Sequence, residues 1–333
     1  MTLILAIESS CDETACAVVK DGKEILSNIV SSQINVHTLY GGVVPEVASR
    51  IHVENISTVI TEALEKANVT MDDIDTIAYT KGPGLIGSLH VGVQAAKTLA
   101  WVYHKPLLPI NHMTGHIYAN AFVSELQFPL MALVVSGGHT ELVWMKNDWN
   151  FEVIGTTQDD AIGEAYDKVA RVLGLGYPGG PVVDKLAKNG KPHYSLPTPK
   201  TSDPYNFSFS GLKTAVLQLE ERKGNTVSPE DLVYAFQETA LTTMVSKTIA
   251  AVKEYKPKMI VLAGGVAANS RLREMMKEEM SKVEGTELLI PPMWCCTDNA
   301  AMIGASGQIA YNHKCFGDLD AAADPNMLMP GEK

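Results

Sequence analysis

Apolar positions in this chain switch repeatedly between unbroken runs and a spacing of three and four. The first run, "LILAIES" at residues 3–9, stays apolar almost to its end and predicts a buried strand. It is followed by "ETACAVVK", an Asp21-Gly22 turn and "EILSNIVSSQ", so the first three elements read as strands in hairpin connection. After the Gly41-Gly42 break, "PEVASRIHVENISTVITEALEKAN" carries apolar residues at helical spacing and opens on a proline suited to a first turn. "DTIAYTK", a Gly/Pro-rich bend, the helix "LIGSLHVGVQAAKTLAWVY", the strand "PLLPI" and a short helix complete the order β-β-β-α-β-α-β-α.

A second pass begins at "LMALVVSGGHTELVWMK" and "FEVIGTT", again three strands, with the helix "DDAIGEAYDKVARVLG" behind them. Then come "PEDLVYAFQETALTTMVSKTIAAVKEY", "KMIVLAG", "NSRLREMMKEEMSKV", "ELLIPP" and a last helix from about Asp298. A helical insert over roughly residues 175–230 interrupts the repeat. The pattern predicts an α/β protein of two similar lobes with a cleft between them, ligands sitting at the strand ends.

With 333 residues, 46% hydrophobic and 20% charged, the chain can build two cores and reads as soluble. "MTLILAIESSCDE" has neither a basic lead nor a spanning run, so the cytoplasm is expected and no membrane. Cys11, Cys16, Cys295, Cys296 and Cys315 match no zinc spacing or disulfide framework. The net charge of -11 argues against unaided binding to nucleic acid, where phosphate neutralisation supplies most of the affinity. A local exception is the recurrence of Lys168, Arg171, Lys185, Lys188, Lys191 and Lys200, which reads either as a basic face or as an ordinary solvated one.

Candidate chemistry starts at "PINHMTGHIYAN". His112 and His116 are one helical turn apart and can share a cation. Zinc proteases with this spacing place a glutamate directly after the first histidine; Met113 stands there, so the hydrolytic base is missing. A metal needs a third ligand, and carboxylates are plentiful. Asp298, in "CCTDNAAM", reads equally well as a helix N-cap. Glycine-rich or acidic turns after strands, "ESSCDET", "VSGGHTE" and "LAGGVAANSRL", together suit a nucleotide. "KGPGLIGSLHVG" lacks the ending of a phosphate-binding P-loop, and Val134 breaks the nucleophile-elbow pattern around Ser136.

In order along the chain, "IESSCDETA", "GGVVPEVASRIH", "KGPGLIGSLHVG", "NHMTGHIYA", "VVSGGHTEL", "DDAIGEAYDKVARVLGLGYPGGP", "FSFSGLKTAV", "GGVAANSRLR" and "CTDNAAMIG" resemble the bacterial TsaD family over essentially the whole length. The resemblance implies the two-lobed fold of actin, the Hsp70 ATPase domain and sugar kinases (ASKHA), with duplicated cores. Expected lobes are 1–128 and 129–297, with a C-terminal helix, 298–320, returning to the first. The implied reaction moves a threonylcarbamoyl group from threonylcarbamoyl-AMP to N6 of adenosine 37 in tRNAs reading codons that begin with A. The implied metal ligands are His112, His116 and Asp298, holding Fe²⁺ or Zn²⁺. Archaeal relatives add a strand tyrosine where Val134 stands here. Substrate contacts are implied for Val135, Ser136, Gly137, Gly138, His139, Asp167, Gly180, Asp184 and Asn269. On chemical grounds of its own, the weak amine nucleophile calls for a neighbouring acid, and Asp12 or Glu13 is expected to position or deprotonate it. The expected partners are tRNA, a smaller non-catalytic TsaB-like paralogue as heterodimer partner, and a small TsaE-like ATPase. A sugar-kinase-like or chaperone-like ATPase on the same fold is the competing reading.

Overall fold

The computed structural model describes residues 1–223 and 227–330; residues 224–226, inside the expected insert, lie outside the described residues. Two compact units emerge. Unit 1 comprises Met1–Leu126, Asn147–Phe151 and the chain from Pro291 onward, and unit 2 comprises Gln127–Lys146 and Glu152–Ile290. Residues 147–151 and 291–297, expected in the second lobe, thus belong with the first. Cys295 shows why: it is buried in one cluster with Ala300, Met302 and Ile303.

Unit 1 holds strands β1 (Leu3–Glu8), β2 (Glu13–Lys20), β3 (Glu24–Ser32), β4 (Thr76–Gly82) and β5 (Leu107–Asn111). Its helices are α1 (Ile34–Tyr40), α2 (Pro45–Ala67), α3 (Ile86–Tyr103), α4 (His112–Tyr118), and, from the C-terminal part of the chain, α10 (Met293–Cys296) and α11 (Ala300–Asn312). The sheet order is β3-β2-β1-β4-β5, with β1 antiparallel to β2 and parallel to β4. Every residue of β1 is buried, because both faces of the sheet are covered. Leu3, Leu5 and Ile7 join Ile56, Val59 and Val93 of α2 and α3, while Ile4 and Ala6 join Met302 and Ile303 of α11. A continuous apolar run is thereby split by the strand's period of two into two half-cores.

Unit 2 contains β6 (Leu130–Val135), β7 (Thr140–Met145), β8 (Phe151–Thr156), β9 (Met259–Ala263) and β10 (Glu287–Leu289). Its helices are α5 (Ile162–Val172), α6 (Gly179–Ala187), α7 (Ser210–Lys223), α8 (Pro229–Tyr255) and α9 (Ser270–Met280). The strand order β10-β9-β6-β7-β8 repeats that of unit 1, with β6 antiparallel to β7 and parallel to β9. The duplication read from sequence is real at the level of sheet topology.

Two elements differ from the sequence reading. Helix α1 was not anticipated; it stops at Gly41, whose φ of 69° turns its amide back onto the carbonyls of His37 and Thr38. The last helix starts two residues later than expected, at Ala300, and its cap is Asn299, which accepts a hydrogen bond from Met302 N at 3.1 Å. Asp298 is left free of the capping role. Among the described residues no helix is long and apolar enough to cross a membrane.

Candidate active site

The histidines of unit 1 are fixed by the way α4 begins. Asn111 ends β5 and caps the helix, its Oδ1 accepting from Met113 N at 2.8 Å and Thr114 N at 3.3 Å. Its amide donates to the carbonyls of Met327 and Leu328, both at 3.1 Å, so the cap is itself anchored. All seven residues of α4 are buried. Helix α11 lies close because the contact is made of small groups. A Cβ on Gly115 would sit 2.9 Å from Ile303 Cδ1, and one on Gly304 would sit 2.6 Å from Val19 Cγ2. Thr114 Oγ1 and Ser306 Oγ, 2.9 Å apart, tie the two helices together. This crossing brings Asp298, just ahead of α11, onto the histidine pair.

Three donor atoms converge. His112 Nε2 is 3.2 Å from His116 Nε2, and Asp298 Oδ1 is 3.4 Å from the first and 3.1 Å from the second. Four-coordinate zinc with ligand bonds of about 2.0–2.1 Å sets its ligands about 3.3 Å from one another, so the spacing fits a common ion. His116 Nδ1 is buried without a hydrogen-bond partner among the described residues, so the ring's only polar engagement is at this convergence point.

A second carboxylate stands behind the first histidine. Glu8 Oε2 accepts from His112 Nδ1 at 2.9 Å, which leaves Nε2 as the ligand atom. Glu8 is itself held by Ser10 N and Thr80 Oγ1, both at 2.5 Å, and is fully buried. Burial alone would raise the pKa of Glu8, but the charge of His112 holds it below its ordinary value. Burial likewise works to lower that of His112, and the charges of Glu8 and Asp298 push it well above normal. Asp298 is depressed by the two histidines against the effect of its own burial. Without a metal, the two carboxylates flanking His112 favour its charged form. At the start of β2, burial, then the charges of Asp298 and Asp12, push Glu13 up to about 9.

In unit 2, the turn after β6 is self-bonded: Ser136 N donates to His139 O at 2.8 Å and His139 N to Ser136 Oγ at 3.0 Å. Cβ atoms built on Gly137, Gly138 and Gly180 meet nothing within 4 Å, so these backbones face open space. The side chains of Val134 and Val135 are in the core, and Val135 offers a ligand only its main chain. Gly264, at φ 89°, packs against it, its Cβ position lying 2.4 Å from Val135 O. Asp167 Oδ1 accepts from Gly179 N at 2.7 Å. Asp184 holds Ser270 through N at 3.0 Å and Oγ at 3.1 Å. Asn269 caps α9 through Leu272 N at 2.9 Å, while its amide donates to Gln237 Oε1 at 3.0 Å and Tyr166 OH at 3.3 Å. The three polar residues therefore brace the starts of α6 and α9, where amides point at anions.

The family described as "TsaD: tRNA N6-adenosine threonylcarbamoyltransferase" matches residues 24–305. The tRNA N6-adenosine threonylcarbamoyltransferase of Bacillus subtilis (strain 168) is 55% identical over 328 residues, covering 97% of this chain and 95% of that protein. That of Bacillus cereus (strain ATCC 14579) is 54% identical over 330 residues, covering 98% and 96%. The chain belongs to the TsaD family. It is an acyltransferase that forms N6-threonylcarbamoyladenosine at position 37 of tRNA, and tRNA is its substrate. Solved structures agree on the fold. HypF of T. kodakarensis matches with a TM-score of 0.64 at 14% identity, over 94% of this chain and 48% of that one. The Acidaminococcus fermentans (R)-2-hydroxyglutaryl-CoA dehydratase component A matches at 0.56 and 18%, over 95% and 99%. The Thermus thermophilus ROK hexokinase matches at 0.50 and 15%, over 94% and 100%. At such identities these likenesses speak to fold alone, and the fold of this TsaD family member is the two-lobed actin and sugar-kinase type.

Sequence reading missed Glu8, Ser10 and Gln237 as parts of the site. Glu8 did leave a signal: an acid closing an otherwise apolar strand has to find a partner.

Proposed function

We propose that His112, His116 and Asp298 bind one divalent cation, Fe²⁺ or Zn²⁺, and that threonylcarbamoyl-AMP is the acyl donor. The observation that carries the metal reading is the mutual spacing of 3.1–3.4 Å among two imidazole nitrogens and one carboxylate oxygen. When bound, the cation supplies a Lewis acid for the threonyl carboxylate or carbamoyl oxygen and leaves coordination positions open for substrate. Glu8 keeps the His112 proton on Nδ1 and so keeps Nε2 available. Val134 supplies no fourth ligand. In unit 2, the main chain of Val135, Ser136, Gly137, Gly138 and His139 receives the adenylate. Gly180 lets it approach the backbone. Asp167, Asp184 and Asn269 hold the helix starts that meet its polar edge.

The adenine N6 amine is a weak nucleophile, so the mixed anhydride carries most of the activation. The amine nitrogen attacks the carbamoyl carbon, the carbon–oxygen bond to phosphate breaks, AMP leaves with the electron pair, and the amine gives up a proton. Asp12 or Glu13, side by side after β1, positions the amine or takes that proton. The acceptor lies in an anticodon loop of tRNAs reading codons that begin with A, and is presented without opening a duplex. A TsaB-like paralogue and a TsaE-like ATPase support turnover in the cytoplasm. His112→Ala or His116→Ala, given threonylcarbamoyl-AMP and unmodified tRNA, abolishes the modified nucleoside by mass analysis. Near-normal transfer by either metal-free variant refutes the metal role.

A further inference from the structure

From Lys185 to Ser202 the chain has four lysines, one histidine and no acidic residue, in a protein of net charge -11. The structure separates these lysines from the rest of the basic run. Lys168 is neutralised by Asp160 at 2.6 Å and Glu164 at 2.9 Å. Lys185, Lys188, Lys191 and Lys200 are exposed, and none has a carboxylate within ion-pair distance among the described residues. Lys185 and Lys188 are one turn apart at the end of α6, where like charges repel unless something anionic joins them.

The same segment forms one wall of a pocket of about 460 Å³, whose other wall is α8. Its lining includes Tyr194, Tyr234, Thr239, Thr243, Ser246 and Lys247. Three of the hydroxyls have already spent their protons on the helix: Thr239 donates to Ala235 O, Thr243 to Thr239 O and Ser246 to Thr243 O, at 2.8, 2.8 and 3.0 Å. Their oxygens therefore remain as acceptors and call for a ligand with hydroxyl or amino donors. Lys247 is half-buried and meets only neutral oxygens, Thr201 Oγ1 at 2.5 Å and Asn206 O at 2.6 Å. Glu238, also in the wall, is taken up by Arg271 through two bonds of 2.7 and 3.1 Å.

We propose that this pocket and the lysine-bearing segment that supplies one of its walls form an RNA-binding subsite, which seats a nucleotide of a single-stranded part of the tRNA substrate while the lysines hold the flanking phosphates. Tyrosine faces stack bases of any sequence, hydroxyl acceptors meet the 2′-OH and exocyclic amines, and surface lysines take phosphate. The pocket volume falls in the range of small-ligand sites. The inference rests on tRNA being the substrate.

The test uses the full chain in a reconstituted transfer assay with its partners. Lys188→Ala/Lys191→Ala/Lys200→Ala and Tyr194→Ala each raise KM for tRNA by about tenfold, while kcat at saturating tRNA and KM for the donor stay near wild type. Each lysine removed also lowers the logarithmic salt slope by about 0.7. Lys253→Ala, which removes an exposed lysine of α8 outside the segment, leaves both unchanged. Cross-linking of tRNA carrying 4-thiouridine in its anticodon loop labels peptides from residues 189–200. Wild-type KM and salt slope in both variants overturn the subsite, as does loss of partner assembly by sedimentation with cross-linking intact. Failure of the wild-type chain to make modified nucleoside would instead strike at the function itself.

Discussion

Glu8 ties strand to metal ligand, and its effect can be isolated from that of the ligands. Glu8→Gln keeps the shape and an acceptor for Ser10 N, but no longer offers an anion to His112 Nδ1. Loss of such a partner costs metal sites about 10–100-fold in affinity, so a chelator-competition titration of Zn²⁺ is expected to show that drop with the thermal transition still cooperative. An unchanged affinity would make Glu8 structural only. The same cluster sets a pH dependence. His112 is raised above its ordinary 6.5, so the stability it lends the metal-free protein is complete below about that pH and is lost as pH rises through the raised value. Glu8 and Asp298 are lowered, so theirs is present above their ordinary 4.5 and 3.8 and is lost as pH falls through the depressed values. Between these limits a cation can enter only by expelling the His112 proton. Metal affinity therefore rises with pH until the raised value of His112 is passed; competition titrations giving a flat profile would remove the proton from the site. Sequence spacing could present the histidines, because one turn of helix is a local rule. It could not present Glu8 or choose Asp298 over other acids, because those neighbours are set by strand pairing and by a helix far along the chain.

At the scale of elements, the approach of α11 to the sheet and to α4 determines whether the third ligand arrives. Gly304→Val puts branched carbon where Val19 already lies at 2.6 Å from the first added atom. Overpacking of this kind costs about 1–3 kcal/mol, which calorimetry reads as a lowered Tm together with weakened metal binding. Gly137→Ala is the contrasting case: its Cβ meets nothing within 4 Å. The expected Tm is unchanged and the KM for threonylcarbamoyl-AMP increased, whereas an unaffected KM would remove this turn from the donor site. Elements with a clean period were legible in advance, as β1 and α2 show. Helix α1 was not, since its seven residues follow a strand directly and its stop depends on a single left-handed glycine. The cap of α11 could not be chosen from sequence, because aspartate and asparagine side by side are equally good caps and only the fold assigns one of them to the histidines.

For the whole molecule, the repeated strand order gives each unit the same topology and different chemistry. Unit 1 ends its central strand in an acid that orients a metal ligand; unit 2 ends the equivalent strand in Val135, whose side chain is core, followed by glycines open to solvent. The repeat was visible in sequence because strand periodicity survives divergence, while the division of labour was not, since it lies in what each strand end touches. That division predicts two separable protection maps. A ligand that binds only the folded state adds about 2.7 kcal/mol at a hundredfold excess over its Kd, and amide exchange slows most in segments that must open for it to leave. Saturating Zn²⁺ should slow exchange in β1, α4 and the stretch from Pro291 into α11, all parts of unit 1. AMP should do so at residues 136–139, 179–184 and 264–270 of unit 2. Hydrogen–deuterium exchange with each ligand alone distinguishes the maps, and His116→Ala should erase the first while leaving the second. Zinc protection confined to unit 2, or AMP protection that vanishes with His116, would contradict the assignment of metal and adenylate to these two sets of residues.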